Sequence, residues 1–173
     1  YSKKLGNHLE LSLQGEDFIA GLLHDIGKLV LWKQMPEEYE DIYTAAKEQD
    51  MPLYELENKI LGFSHADVAS ALALQWSLPQ SLADALLMHH PQENNPLAEK
   101  EDPQICAIVR IANLAAKDDL LADNVDPETL KSCADDEAWT VLNGSTPLET
   151  KQQRFDLLNR FAKELESATL LTF

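Results

Sequence analysis

GLLHDIGKLVLW, residues Gly21 to Trp32, sets a histidine and an aspartate side by side in a strongly apolar stretch of helical character. Burying a carboxylate is unfavourable unless it is paired, hydrogen-bonded or bound to a metal. The His24-Asp25 pair therefore demands partners. Candidates follow at His65, His89 and His90, each at the end of an expected helix.

Outward from this stretch, nearly the whole chain reads as helix. Strand-like alternation is scarce, and Gly and Pro fall at boundaries. A first helix is expected over Tyr1 to Leu13, closing near Gly15. A second, Glu16 to Lys33, carries the HD pair and opens with two acidic residues that suit its dipole. Pro36 opens a third, to about Gln49, and Leu53 to Leu61 forms a fourth with Gly62 as its stop. Ser64, with Asp67 in the capping-box position, starts His65 to Trp76, whose indole is expected in the core. Pro79 starts the next helix, which ends at His89-His90. Pro91 to Pro103 reads as an exposed loop. Gln104 to Leu121 returns to helix, with Ile108, Ile111, Ala112 and Ala115 on a core-facing stripe. Shorter helices are expected over Asp126 to Ala134 and Glu137 to Leu142. Thr146 and Glu149 would cap a last one around Pro147, with Phe155, Leu158, Phe161 and Leu165 at helical spacing. The expectation is a single all-α domain.

Composition narrows the function classes. With 173 residues and 45% hydrophobic content, the chain can bury one substantial core. No apolar run is long enough to cross a bilayer. The start, YSKKLGNHLELS, lacks a signal-peptide core and an initiator Met, and it opens in mid-helix, so a fragment of a longer chain is expected. Cys106 and Cys133 have no metal-ligand spacing and suggest a cytoplasmic protein with free thiols. A net charge of -16 argues against a nucleic-acid surface, which needs a basic stripe.

On one continuous helix His24 and Asp25 would point about 100° apart, so both reach a metal only if it lies over the wedge between them. Imidazole with carboxylate suits Zn, Fe, Mn or Ni better than Ca. The alternative is that Asp25 accepts backbone or lysine bonds and His24 is a satisfied core residue. His65 lies in a first helical turn, where the dipole disfavours a cation and favours the neutral, metal-binding imidazole. His89 and His90 lie in a last turn, where they are either ligands or caps for orphan carbonyls. His8 reads as a solvated surface residue.

The strings FIAGLLHDIGKLVL and LGFSHADVASALALQWSLP, with Glu57 between them and His89-His90-Pro91 after them, resemble the HDOD domain. That domain is a bacterial signalling module related to the HD and HD-GYP phosphohydrolases. The resemblance runs from Tyr1 to about Ala116, followed by a C-terminal helical extension. It implies an HD-domain-like helical bundle, here its C-terminal portion, with further helices upstream. It implies metal ligands at His24, Asp25, His65, His89 and His90. It also implies a phosphate contact at Lys28, one turn after His24 on the same face; the alternative for Lys28 is a snorkelling surface lysine. Glu57 belongs to the pattern, either as an exposed carboxylate or in contact with the histidines.

The departures from the hydrolases are specific. Their further upstream histidine would fall at or before Tyr1. Asn113 stands where they carry an aspartate ligand, and PQENNPLAEK replaces the GYP segment. Five ligands at most remain, enough for one ion, and only Asp25 remains as a carboxylate for a two-metal centre. The resemblance therefore implies a signal-transduction module with a degenerate, non-catalytic HD site. A metal-dependent phosphohydrolase (phosphodiesterase or phosphatase) is the alternative. The cofactor would be a divalent Fe, Mn, Zn or Ni ion, or none. The partners would be other signalling domains or proteins, not nucleic acid or membrane, and the oligomeric state is open.

Overall fold

The computed structural model describes residues 1–91, 95–116, 131, 133–142, 148 and 150–170, with side chains placed as far as Glu164. Among these residues the protein is all-helical, with no strand. The elements are α1 (Ser2–His8), α2 (Glu16–Leu23), α3 (Ile26–Gln34), α4 (Pro36–Glu48), α5 (Leu53–Leu61), α6 (His65–Gln75), α7 (Gln80–Leu87), a 3-10 turn (Leu97–Glu99), α8 (Pro103–Ala115), α9 (Ala138–Leu142) and α10 (Lys151–Leu170).

Helix α8 is the axis of the bundle. Ile105, Ile108 and Ile111 are buried on it, and α1, α2, α7 and α9 pack around it. Trp139 fills the far side of this core, its indole N–H donating to the Cys133 carbonyl at 2.9 Å. An aromatic this large can be buried because its one polar group is satisfied. Helices α6 and α7 meet through small residues, Ala69, Ala73 and Ala83, which lets the backbones approach closely.

Two boundaries and one burial differ from the expectations. The first helix stops at His8 rather than Leu13: Glu10 turns into the left-handed region (φ 53°) and the Leu11 N–H bonds back to Gly6. The expected helix from Glu16 to Lys33 breaks in two at His24-Asp25. His24 Nδ1 lies 2.9 Å from the Gly21 carbonyl, the acceptor that a continuing helix would offer to the Asp25 N–H. A side chain inserted into the hydrogen-bond ladder in this way kinks a helix. Trp76, expected in the core, is 54% exposed. Ser77, directly after it, adopts φ 57°, and the α6–α7 seam is filled instead by Ala69, Ala73, Ala83 and Leu86.

The stripe of Ile108, Ile111, Ala112 and Ala115 is buried as read. In the loop after His90, Leu97 is buried within the 3-10 turn rather than exposed. Residues 117–121, 126–130, Thr146, Pro147, Glu149 and the Leu165 side chain lie outside the described set. The visible cap on α10 is Thr150 with Gln153, each side chain bonding the other residue's backbone N–H.

Candidate metal centre

Three chain segments converge at one end of α6. The kink after α2 brings in His24 and Asp25, α6 opens with His65, and α7 leads into His89 and His90. A capping box holds the start of α6: the Ser64 N–H and hydroxyl both donate to Asp67 at 2.8 Å. Gly27 makes the convergence possible, because a Cβ there would collide with the backbone carbonyl of His65. Only glycine lets α3 lie this close to the N-terminus of α6.

His65, His89 and His90 are buried, and each offers a ring nitrogen within 4.8 Å of the others. His65 Nε2 is 3.2 Å from His89 Nε2 and 3.0 Å from His90 Nε2. Asp25 Oδ1 lies 3.4 Å from His65 Nε2 and 3.7 Å from His89 Nε2. That oxygen is buried and has no hydrogen-bond partner among the described residues. The other oxygen, Oδ2, turns outward to Lys28 Nζ at 2.7 Å and to His24 Nε2 at 3.4 Å. His24 thus stands beside Asp25, with its ring edge-on to His89, rather than within the three-histidine group.

The hydrogen bonds assign the tautomers. His65 Nδ1–H donates to Glu57 Oε2 at 2.6 Å, and His89 Nδ1–H donates to the Leu86 carbonyl at 2.6 Å. In the neutral rings both Nε2 atoms are then bare acceptors facing each other. Such an arrangement holds around a shared cation, whether proton or metal. Nitrogens bound to one ion at about 2.1 Å stand about 3.0 to 3.4 Å apart, for octahedral to tetrahedral angles. The observed spacings, the orphaned Asp25 oxygen and the mixed imidazole–carboxylate donor set therefore fit a divalent transition metal.

Electrostatics follow from the same contacts. Burial opposes charge on Asp25, but His65, His24 and Lys28 outweigh it and hold the carboxyl well below its usual range. Burial also opposes charge on His65, yet Asp25 and Glu57 raise its pKa despite its place at a helix N-terminus. The helix dipole favours a neutral ring there, but two carboxylates at contact distance are the stronger influence. His89, deeply buried and beside His65, is pushed down to about 3.

Glu57 is fully buried, not an exposed helical carboxylate. It accepts from the Tyr39 hydroxyl at 2.6 Å, the His65 N–H at 2.8 Å and His65 Nδ1–H. Asn113 uses its amide to donate to the His89 carbonyl at 3.2 Å. Lys28 is about one-third exposed at the rim. Tyr39 carried no signal in the sequence beyond its place on an amphipathic helix. His8 is exposed, as read.

The HDOD domain profile matches residues 1–92, more than half of the chain, and spans α1 to α7 and all five of these ligand-type residues. The chain belongs to the HDOD domain family. An uncharacterised protein of Treponema pallidum (strain Nichols) is 28% identical to it over 106 residues, 61% of this chain and 20% of that protein. A crystal structure from Shewanella amazonensis SB2B, described as a "putative phosphohydrolase", aligns with a TM-score of 0.60 at 21% identity. The alignment covers 96% of this chain and 58% of that one. The likeness establishes an all-α, HD-domain-like fold. This HDOD chain spans a fifth of the Treponema protein and a little over half of the Shewanella chain. Its family match ends at Gln92, before α8. No helix among the described residues is long and apolar enough to cross a membrane.

Proposed function

We propose that this HDOD domain is a regulatory module built round a single divalent metal ion held by His65, His89, His90 and Asp25. The observation that carries the reading is the convergence of three buried imidazole nitrogens, two of them with Nδ1–H committed elsewhere, on one unpartnered carboxylate oxygen. A single ion is favoured because the carboxylate set against the Nε2 atoms of His65 and His89 is Asp25, Glu57 being committed to Nδ1 of His65, and because Asn113 spends its amide on a backbone carbonyl. A signalling role rests on the family's character as a bacterial signalling module. The greater length of the relatives supports a module that works beside other domains.

Elemental analysis of protein purified without added metal tests the centre. About one equivalent of Fe, Mn, Zn or Ni is expected, since three to four protein ligands suffice. It should be lost in a folded His65→Ala, His89→Ala double variant. Sub-stoichiometric metal that this variant leaves unchanged would sink the proposal.

A second reading, metal-dependent phosphohydrolase, draws support from the rim. Lys28 and the outward oxygen of Asp25 meet at the solvent edge beside the nitrogens, where Lys28 can hold an anionic ester. When bound, the ion supplies Lewis-acid polarisation of a phosphoryl oxygen. Asp25 would orient the incoming water from its edge of the site. Turnover of phosphodiesters or cyclic dinucleotides with added Mn or Fe, abolished in a folded Asp25→Ala variant, would replace the non-catalytic reading with this one.

A further inference from the structure

The α4–α5 hairpin has an apolar core of its own. Ile42, Ala46 and Leu56 pack together, apart from the main cluster around α8. Yet this hairpin sends two side chains to the histidines. Glu57 of α5 holds His65 through Oε2, and Tyr39 of α4 donates to its Oε1. Tyr54, three residues before Glu57 and on the same helical face, lies flat against His90. Their ring centroids are 4.2 Å apart and the planes differ by 13°. Two of the three clustered imidazoles are therefore oriented from one hairpin, whereas His89 is oriented by its own helix through Leu86.

A buried carboxylate is retained only where donors surround it. Glu57 has three. By accepting Nδ1–H it fixes the tautomer of His65, aims Nε2 at the cluster and makes that nitrogen the better donor. The hairpin lacks a share in the main core; α4 leans on α3 through Trp32 against Tyr39 and Tyr43, and the contacts of Glu57 and Tyr54 tie α5 to the histidines. Whatever tightens His65 and His90 must then tighten the hairpin.

We propose that Glu57 is the positioning residue of the metal centre and that, through Glu57 and Tyr54, metal occupancy and docking of the α4–α5 hairpin are coupled. The inference rests on the metal-centre reading. Coupling of this kind is reciprocal: metal binding holds the hairpin down, and displacing the hairpin weakens metal binding. The hairpin is thus the element through which occupancy of the centre reaches the protein surface.

The test uses the full chain with Co²⁺ and Zn²⁺ as probes. Glu57→Gln keeps the volume and removes the charge; its carbonyl can still accept both His65 N–H groups, while the bond to Tyr39 must reverse, with the amide donating to the phenol oxygen. It should weaken Co²⁺ and Zn²⁺ binding about 10- to 100-fold and shift the Co²⁺ ligand-field bands, with helix content unchanged. In the wild type, metal should slow amide exchange across residues 36–61; in Glu57→Gln that slowing should shrink. Equal affinity and an unchanged Co²⁺ spectrum in Glu57→Gln would overturn the positioning role. Protection confined to α6 and α7 in the wild type would overturn the coupling. If Glu57→Gln fails to fold, Tyr39→Phe replaces it, removing only the outer anchor of the carboxylate. A smaller loss of affinity supports the role, and an unchanged affinity overturns it. A wild type that binds neither probe would bring down the metal-centre reading itself, an outcome separate from the others.

Discussion

Two polar centres are buried in the bundle, one at Arg110 and one at the clustered histidines, and they solve the same problem in opposite ways. At Arg110, which is 3% exposed, the guanidinium is answered by the chain. Its Nε and Nη2 donate to Asp136 at 3.2 and 2.9 Å, and Nη1 reaches Glu137 at 3.1 Å. Asp136 also accepts the Ala138 N–H through its other oxygen. At the histidines, acceptors face acceptors and an aspartate oxygen is left over. Buried polar groups in folded proteins are nearly always paired, so an exception needs a reason. The self-satisfied centre is structural. The unsatisfied one has the donor set to hold the proposed cation.

The largest effect expected from breaking this contrast is Arg110→Ala. Removing one partner strands the Asp136 carboxylate, which is only 11% exposed. Such losses cost about 3–5 kcal/mol. Urea unfolding should show this loss, while the folded protein binds metal as before. Metal affinity that falls in step with stability would mean that the two centres are one unit. Glu137, at 69% exposure, should contribute little to the effect.

Gly27→Ala should give the reverse pattern. The added methyl must push α3 off the His65 carbonyl. Overpacking of this kind costs about 1–3 kcal/mol. Asp25 lies two residues before Gly27, so it moves with α3. Metal affinity should therefore drop along with stability, as read by calorimetry and by chelator competition. A variant that loses stability but keeps its affinity would show that Asp25 is not a ligand.

The same contrast explains what was legible in the sequence. The HD pair, the three clustered histidines and the Ser64–Asp67 cap all declare themselves locally, through residue type and position in a helix. The kink at His24 did not, because it depends on a histidine side chain capturing the Gly21 carbonyl, with no Gly or Pro to announce it. Glu57 was ambiguous for a related reason. Its burial is decided by Tyr39 and His65, 18 residues before it and 8 after it, and one carboxylate in LYELENKIL looks the same whether solvated or enclosed. Trp76 read as core because large aromatics are usually highly buried, but the α6–α7 seam is packed by Ala69, Ala73, Ala83 and Leu86 and Trp76 is exposed. Arg110 drew no attention, since its partners follow 26 and 27 residues later.

The smallest predicted effect concerns Asn113, the position that the resemblance matches to an aspartate ligand of the hydrolases. Its amide donates to the His89 carbonyl at 3.2 Å, so it touches the backbone of a ligand-bearing residue rather than joining the three-histidine group. As a clamp, it contributes about 1 kcal/mol, the ordinary net value of one hydrogen bond. Asn113→Ala should lower stability by about that much and leave Zn²⁺ affinity unchanged, because His89 keeps its Nδ1–H bond to Leu86. Weakened metal binding at unchanged stability would instead mark Asn113 as a working ligand and give α8 a place in the centre. Arg110 lies one turn away on the same helix, so the two variants together test whether α8 serves only the self-satisfied centre or both.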